Sequence, residues 1–205
     1  FNDGSMATLT YNKKQKLCGW ARQETKGLYE SVAVIREGQE DVAYFVIRRN
    51  INGVWKRYVE RTVTRIIDDA RDGFFVDSGL SGYWENGTTY VSGLTHLAGE
   101  KVVVFADGGV INDVTVPANG RIDFSKAYHD VVVGLPYEFE FETLGIEAEN
   151  THGLLKQINS VTINVLNSRE DFFIVGNEGH EMQLSRSMAS INNSGYLYSG
   201  KKDAT

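Results

Sequence analysis

Two runs of strand-forming residues, Val42-Ala43-Tyr44-Phe45-Val46-Ile47-Arg48-Arg49 and Trp55-Lys56-Arg57-Tyr58-Val59-Glu60-Arg61, flank the dipeptide Asn52-Gly53. No other feature constrains the fold as strongly. Both central residues of a type I′ turn need positive φ, which Asn and Gly tolerate, and that turn matches the right-handed twist of the strands it joins. A β-hairpin is therefore predicted. Upstream, Leu17, Gly19 and Ala21 interleave with Trp20 and Arg22 as in a half-buried strand. The segment from Tyr29 to Ile35 is rich in β-branched residues, with Lys26-Gly27 as the turn before it.

From Thr62 to Gly73 the alternation lapses into TVTRIIDDARDG, a charged stretch closed by Gly that reads as a connector. Beyond it, strand candidates recur at intervals of about 8 to 12 residues, the spacing of a small sandwich or barrel. They are Phe74 to Val76, Thr88 to Val91, Lys101 to Ala106, Val110 to Val116, Arg121 to Phe124, Asp130 to Val133 and Tyr137 to Thr143. Asn86-Gly87, Asp107-Gly108-Gly109, Asn119-Gly120 and Gly134-Leu135-Pro136 supply turn chemistry between them. The last third offers Ser160 to Leu166 and Asp171 to Gly176 as strands, a short helix around Gly153 to Gln157, and a polar, mobile tail from Ser199. The expected fold is all-β and antiparallel. A platform sheet occupies residues 1–72, a small barrel or sandwich 73–145, and strands returning to the platform, with the tail, 146–205.

Composition narrows the class. With 41% hydrophobic residues, 11% aromatic residues, 21 Gly and only 2 Pro, the 205-residue chain is too apolar for disorder, and it lacks a collagen period. No run approaches the roughly 18 apolar residues of a membrane helix, so no membrane anchor is expected. The opening FNDGSMATL has neither a basic n-region nor an apolar h-region and is not read as a signal peptide. The net charge of −6 argues against broad wrapping of nucleic acid, because neutralising phosphate needs Lys and Arg in excess.

Catalytic and metal-binding patterns were weighed against plain structural roles. His96, His129, His152 and His180 lie in separate segments, and none forms a two-His zinc motif. Asp68-Asp69-Ala70-Arg71-Asp72-Gly73 lacks the alternating acids and closing Glu of a calcium loop and reads as a charged turn. Cys18 has no second Cys to pair with and is expected to be an inert, half-buried thiol. Glu138, Glu140 and Glu142 alternate with Phe139 and Phe141, which reads as the solvated face of a strand over a Phe-lined core. The competing reading makes Glu138 and Glu140 a glycosidase pair, since i, i+2 neighbours approach the required separation. No nucleotide loop or nucleophile elbow is present. The chain is expected to have no catalytic residues, no cofactor and no metal.

Arg48, Arg49, Lys56, Arg57, Arg61 and Arg65 cluster around Trp55 and Tyr58, a mixture used on single-stranded nucleic acid and equally in subunit contacts. Alternation puts Trp55, Arg57 and Val59 on one face and Lys56, Tyr58 and Glu60 on the other, so neither face is purely basic. The candidate interface residues are Trp20, Arg22, Trp55, Arg57 and Tyr58. Tyr83 and Trp84, in the polar segment Ser81 to Gly87, are candidate exposed loop contacts.

Leu9-Thr10-Tyr11, Gln15, Trp20 and Arg22, followed by Gly27, Tyr29 and Glu30-Ser31-Val32-Ala33-Val34-Ile35, fit L-T-Y-x-x-x-Q-x-x-x-x-W-x-R and G-x-[FY]-E-S-V-A-V-I. In these motifs the chain resembles the tail nozzle proteins of short-tailed bacteriophages, the tail tubular protein B class. The likeness runs on through Glu40 to Arg49, Arg57 to Arg61, Phe75 to Leu80, Val91 to Val102 and Ala106-Asp107-Gly108, covering about residues 5–145. The 74–144 segment also resembles, in fold only, the small β-barrel half-domain of ubiquitin-activating enzymes. The nozzle resemblance implies a structural virion protein made in the host cytoplasm, and the C-terminal portion or a shortened relative of a longer chain. It implies a subunit of a ring, hexameric in the full-length parent, that meets the tail tube adaptor and conducts DNA during ejection without binding it specifically. The alternative is a carbohydrate-binding or host-surface adhesion module of a phage tail, using Tyr83 and Trp84.

Overall fold

The structure is a computed structural model, and it describes residues 1–140, 161–168, 173–175, 181–183 and 198–204. Two compact units are present, one of Phe1–Ile66 with Gly73–Tyr137 and the other of Ile67–Asp72 with Glu138–Thr205. Among the described residues the fold is all-β and antiparallel, and its only helical pieces are two short 3-10 turns, Ala70–Asp72 and Leu94–Leu97.

The first unit holds three sheets. Strands β1 (Met6–Asn12) and β2 (Leu17–Gln23) form a two-stranded hairpin, and β3 (Leu28–Glu37), β4 (Glu40–Ile51) and β5 (Val54–Arg61) form a three-stranded meander. The predicted turn joins β4 to β5: Ile51 pairs with Val54, and Asn52 and Gly53 take φ of 48° and 80°. Strands β6 (Asp77–Val91), β7 (Lys101–Ala106), β8 (Gly109–Thr115) and β9 (Ile122–Leu135) make a four-stranded sheet in the order β6-β9-β7-β8. Asp107-Gly108 joins β7 to β8 with the same positive-φ signature, 46° and 75°.

This sheet is open, with β6 and β8 at its edges, so the expected barrel does not close among the described residues. Two of its strands run further than the sequence suggested. Arg121 to Phe124 and Asp130 to Val133 belong to one strand, β9, because no turn pair interrupts Ser125 to His129. Asn86-Gly87 makes no turn either. It lies inside β6, where Gly87 has φ 73° and the register with β9 shifts between Tyr83 and Thr88, so the positive-φ residue serves an irregularity that bends the strand. Phe74 to Val76 precede β6 without strand pairing, and Pro136 to Glu140 follow β9 in no strand at all.

Burial on β7 follows the period of two, with Val102, Val104 and Ala106 inward. On β9 the run Val131 to Leu135 is buried without alternation, as expected of a strand covered on both faces. With Leu94, Leu97, Val116 and Ile122 these residues form the core, and Ile51 at the end of β4 joins it. Tyr58 of β5 packs against the same cluster. The root of the three-stranded meander is thereby tied to the four-stranded sheet. Asn52 N–H donates to Glu100 Oε1 at 2.9 Å, and Lys26 pairs with the other oxygen of that carboxylate.

In the second unit β10 (Val161–Ser168) pairs with β13 (Tyr198–Ala204), and β11 (Phe173–Val175) pairs with β12 (Glu181–Gln183). The tail expected to be mobile is thus a paired strand. The 3-10 turn at Ala70 is the charged turn read from the sequence. Asp69 accepts from the Arg71 backbone N–H and guanidinium, and Asp72 accepts from the Asp69 N–H. The helix expected around Gly153 to Gln157 lies outside the described residues.

Candidate interface surfaces

Register assigns each side chain of the meander to a face, since directly opposed residues point the same way. Opposed pairs Tyr44 and Arg61, Val46 and Val59, Arg48 and Arg57, and Asn50 and Trp55 make the outer face. Phe45 and Glu60, Ile47 and Tyr58, and Arg49 and Lys56 make the inner one. The basic cluster of the sequence is therefore split. Arg48, Arg57 and Arg61 face out beside Trp55, whereas Arg49 turns inward and is fully buried.

Each outward arginine is held by a carboxylate. Arg57 donates from Nε and Nη2 to the two oxygens of Glu30, at 2.6 and 3.2 Å. Arg48 lies over the Trp55 ring, 5.1 Å from its centroid, with Nε 3.6 Å from Glu30, within ion-pair reach but too far for a hydrogen bond. Arg61 donates to Glu37 at 2.7 Å, and the Tyr44 hydroxyl donates to the same carboxylate. The Arg57 hydrogen bond holds the Glu30 carboxyl below the ordinary carboxylate range, and the same bond raises Arg57 further. Hydrogen bonding to Glu37 raises the Tyr44 phenol. A face of this kind presents paired charge and ring edges, with little free cation for phosphate.

Of the candidate interface residues, Trp20, Arg22, Trp55 and Arg57 are exposed, and Tyr58 is half-buried. Tyr58 sits on the inner face against the core, its ring edge-on to His96 at 6.2 Å. Trp20 and Arg22 line an open groove of about 830 Å³ between β1–β2 and residues 1–5. Arg22 is paired there with Asp3 at 2.9 Å and with Glu24 at 2.7 Å. Tyr83 is exposed, as expected. Trp84 is not a loop contact: it lies on β6, half-buried, and packs on the core with its ring against Gly82.

Two further sequence expectations are corrected. Cys18 is exposed, because among the described residues β1–β2 has no third layer over it. Glu138, Phe139 and Glu140 lie beyond the end of β9 with the Phe139 ring in solvent, so the strand face proposed for them is not formed; Phe141 and Glu142 lie outside the described residues. The histidines within the described residues serve the fold. His96 Nε2 donates to the Ser78 carbonyl at 2.9 Å, and His129 Nδ1 lies 3.1 Å from the Trp84 carbonyl. His152 and His180 lie outside the described residues.

Among the described residues, β1–β2 carries an exposed apolar face of which the sequence pointed only to Trp20. In β1–β2, Leu9 opposes Trp20 and Tyr11 opposes Cys18, so all four side chains share one face. Trp20 is 72% exposed and Tyr11 66%. The signal was available in the alternation of Leu9 and Tyr11 with Thr8 and Thr10, but alternation alone does not say whether anything covers the apolar side. No protein-family model matches the chain, and no curated protein matches it.

Proposed function

We propose that the chain is a structural subunit of a short-tailed phage's tail nozzle, acting by ring assembly around a channel that DNA traverses. One observation carries this reading: the two N-terminal segments that bear the nozzle-like motifs most fully also carry uncovered apolar surface. Leu9-Thr10-Tyr11 and Trp20-Ala21-Arg22 build the exposed hairpin face, and Tyr29 to Ile35 builds β3, whose outer half is exposed on both faces. Contiguous apolar surface of this kind marks a site of protein contact. The charge pattern supports the same role. A conduit must release each phosphate it passes, and a chain of net charge −6 whose outward arginines on β3–β5 are matched to carboxylates offers few sites to retain a polyanion.

The test is light scattering on the chain across a concentration series, paired with duplex DNA retention at physiological salt. Ring-sized particles that do not retain DNA support the conduit. Tight duplex binding overturns it, and so does a monomer that binds a bacterial surface saccharide through Tyr83, which would favour the adhesion module.

A further inference from the structure

We infer that Asn52-Gly53, the turn between β4 and β5, is a site of spontaneous modification, where loss of the Asn52 side-chain amide creates a carboxylate and loosens the joint between the meander and the four-stranded sheet.

The chemistry is intramolecular and needs only water. The Gly53 backbone nitrogen attacks Asn52 Cγ, the new N–Cγ bond closes a five-membered imide, and the Cγ–Nδ2 bond breaks. The side-chain nitrogen leaves as ammonia, taking up the proton of the Gly53 N–H. Water then opens the imide on one of its two sides. Addition at Cγ leaves an aspartate at position 52, and addition at the main-chain carbonyl leaves an isoaspartate, whose backbone runs through Cβ and Cγ and is one carbon longer. Nothing is oxidised or reduced. A glycine in the following position favours the attack, because it has no side chain to obstruct the approach or to restrict the backbone.

The sequence holds three Asn-Gly pairs, Asn52-Gly53, Asn86-Gly87 and Asn119-Gly120, and the fold treats them differently. Attack requires a backbone nitrogen that solvent can reach and a carboxamide free to swing toward it. Asn119-Gly120 offers neither. Gly120 is buried and its N–H donates to the Pro117 carbonyl at 2.8 Å, while Asn119 Oδ1 accepts from the Arg121 N–H at 3.1 Å. Gly87 is half-buried within β6, where an added Cβ would stand 3.1 Å from that of Ala127 on β9. Asn52 and Gly53 are both exposed, and a Cβ at Gly53 would meet nothing within 4 Å. Among the described residues neither the Gly53 N–H nor the Asn52 carboxamide makes a hydrogen bond.

Position gives the modification its consequence. The Asn52 backbone N–H donates to Glu100 Oε1 at 2.9 Å, and Lys26 holds the other oxygen. The Asn52 side chain lies along the same segment, since a Cβ added to Gly99 would fall 3.1 Å from Asn52 Cγ. The new carboxylate thus arises on the residue whose own N–H binds Glu100, and like charges brought together disfavour one another. The isoaspartate acts on the turn itself. Asn52 and Gly53 span the gap from Ile51 to Val54 with φ of 48° and 80°, a two-residue geometry that an extra backbone carbon does not fit. Ile51 belongs to the core of the four-stranded sheet, so slack in the turn reaches the joint directly.

Peptide mapping by mass spectrometry tests the site on the full chain, held folded in mildly alkaline buffer, by following the exchange of NH2 for OH at each pair. Asn52 is expected to convert about tenfold faster than Asn119 or more, because the two hydrogen bonds at Asn119-Gly120 must open first. In urea the three rates should come together. Conversion of Asn119 or Asn86 that keeps pace with Asn52 in the folded chain overturns the site, as does an equal difference in urea, which would belong to the flanking sequence. The consequence is read on Asn52→Asp, which carries the new charge on an ordinary backbone. Its urea midpoint at neutral pH should fall below that of wild type, and the drop should vanish in a Glu100→Gln background. No drop, or the same drop in both backgrounds, overturns the loosening of the joint through Glu100.

Discussion

Arg49 on β4 and Glu60 on β5 form a two-point ion pair on the inner face of the meander, Nε to Oε1 at 2.5 Å and Nη2 to Oε2 at 2.7 Å, with Arg49 only 1% exposed. The remaining guanidinium nitrogen is satisfied too, since Nη1 donates to Thr25 Oγ1 at 2.8 Å and to the Lys26 carbonyl at 3.0 Å. Thr25 in turn donates to Asp77 at the start of β6. One buried cation therefore ties β4, β5, the β2–β3 connection and, through Thr25, the first residue of the four-stranded sheet. A pair this dry contributes little beyond a packed apolar pair, but breaking it is costly because the surviving charge stays buried. Glu60→Gln is expected to lower stability by about 3 kcal/mol. The double change Arg49→Met/Glu60→Leu should recover most of that loss in urea unfolding, and no recovery would mean that the Thr25 and Lys26 bonds carry the site.

Gly53 and Gly120 both have positive φ, 80° and 67°, yet their surroundings differ. A Cβ at Gly53 meets nothing within 4 Å, whereas one at Gly120 falls 2.4 Å from the Thr95 backbone nitrogen and 2.8 Å from its Cγ2. Gly53→Ala is expected to cost the left-handed backbone penalty alone, about 1 to 2 kcal/mol. Gly120→Ala adds overpacking to the same penalty and should cost roughly 2 to 5 kcal/mol. Chemical denaturation of the two variants side by side reads the difference, and equal losses would place the strain in the backbone only.

The Glu100 carboxyl couples stability to pH. Burial works to raise its pKa, but the Lys26 hydrogen bond, the Asn52 N–H and the Lys26 charge together outweigh that and hold it below the ordinary value of 4.5. A group depressed in the folded state adds stability that is fully present above its unfolded value and is lost as pH falls through the folded one. The wild-type urea midpoint should therefore fall below about pH 4.5 more steeply than that of Glu100→Gln. Parallel profiles would show that the Lys26–Glu100–Asn52 clip is unimportant to stability.

Trp84 and Tyr83 are neighbours with opposite fates. Trp84 packs on the core and Tyr83 is exposed. Trp84→Ala should destabilise by about 2 to 3 kcal/mol, somewhat less than for a fully buried ring. Tyr83→Ala should stay within about 0.5 kcal/mol of wild type. Any ligand-binding loss in Trp84→Ala must accordingly be read against its thermal melt, and an unchanged melt would show that the ring is free for contact.

Cys18 opposes Tyr11 on the open face of the hairpin. Iodoacetamide should alkylate it in the dilute folded chain at nearly the rate seen in urea, because no side chain layer shields it. At concentrations where the chain associates, the rate should drop. Slow alkylation at all concentrations would mean that the hairpin face is covered within the single chain.

The parts of this fold legible in the sequence are those set by neighbours along the chain. Asn52-Gly53 and Asp107-Gly108 take positive φ between strand-forming runs and turn the chain there, and the alternation of β7 separates its two faces without reference to anything remote. The same local logic placed Trp55, Arg57 and Val59 on one face and Tyr58 and Glu60 on the other. Alternation sorts residues into two faces, but only the tertiary structure decides which face is covered, since the covering residues come from distant segments. Leu97 and Ile122 help build the core that turns Tyr58 and Ile51 inward, and Arg49 is buried because Glu60 on β5 and Thr25 and Lys26 in the β2–β3 connection converge on it from two separate segments. The opposite holds for β1–β2. Its residues read as half-buried strands, and no third layer arrives among the described residues, so Trp20 and Cys18 are exposed. The same reason explains Asn86-Gly87, where β9 pairs with β6 on both sides of the dipeptide and converts an expected turn into a bend within one strand.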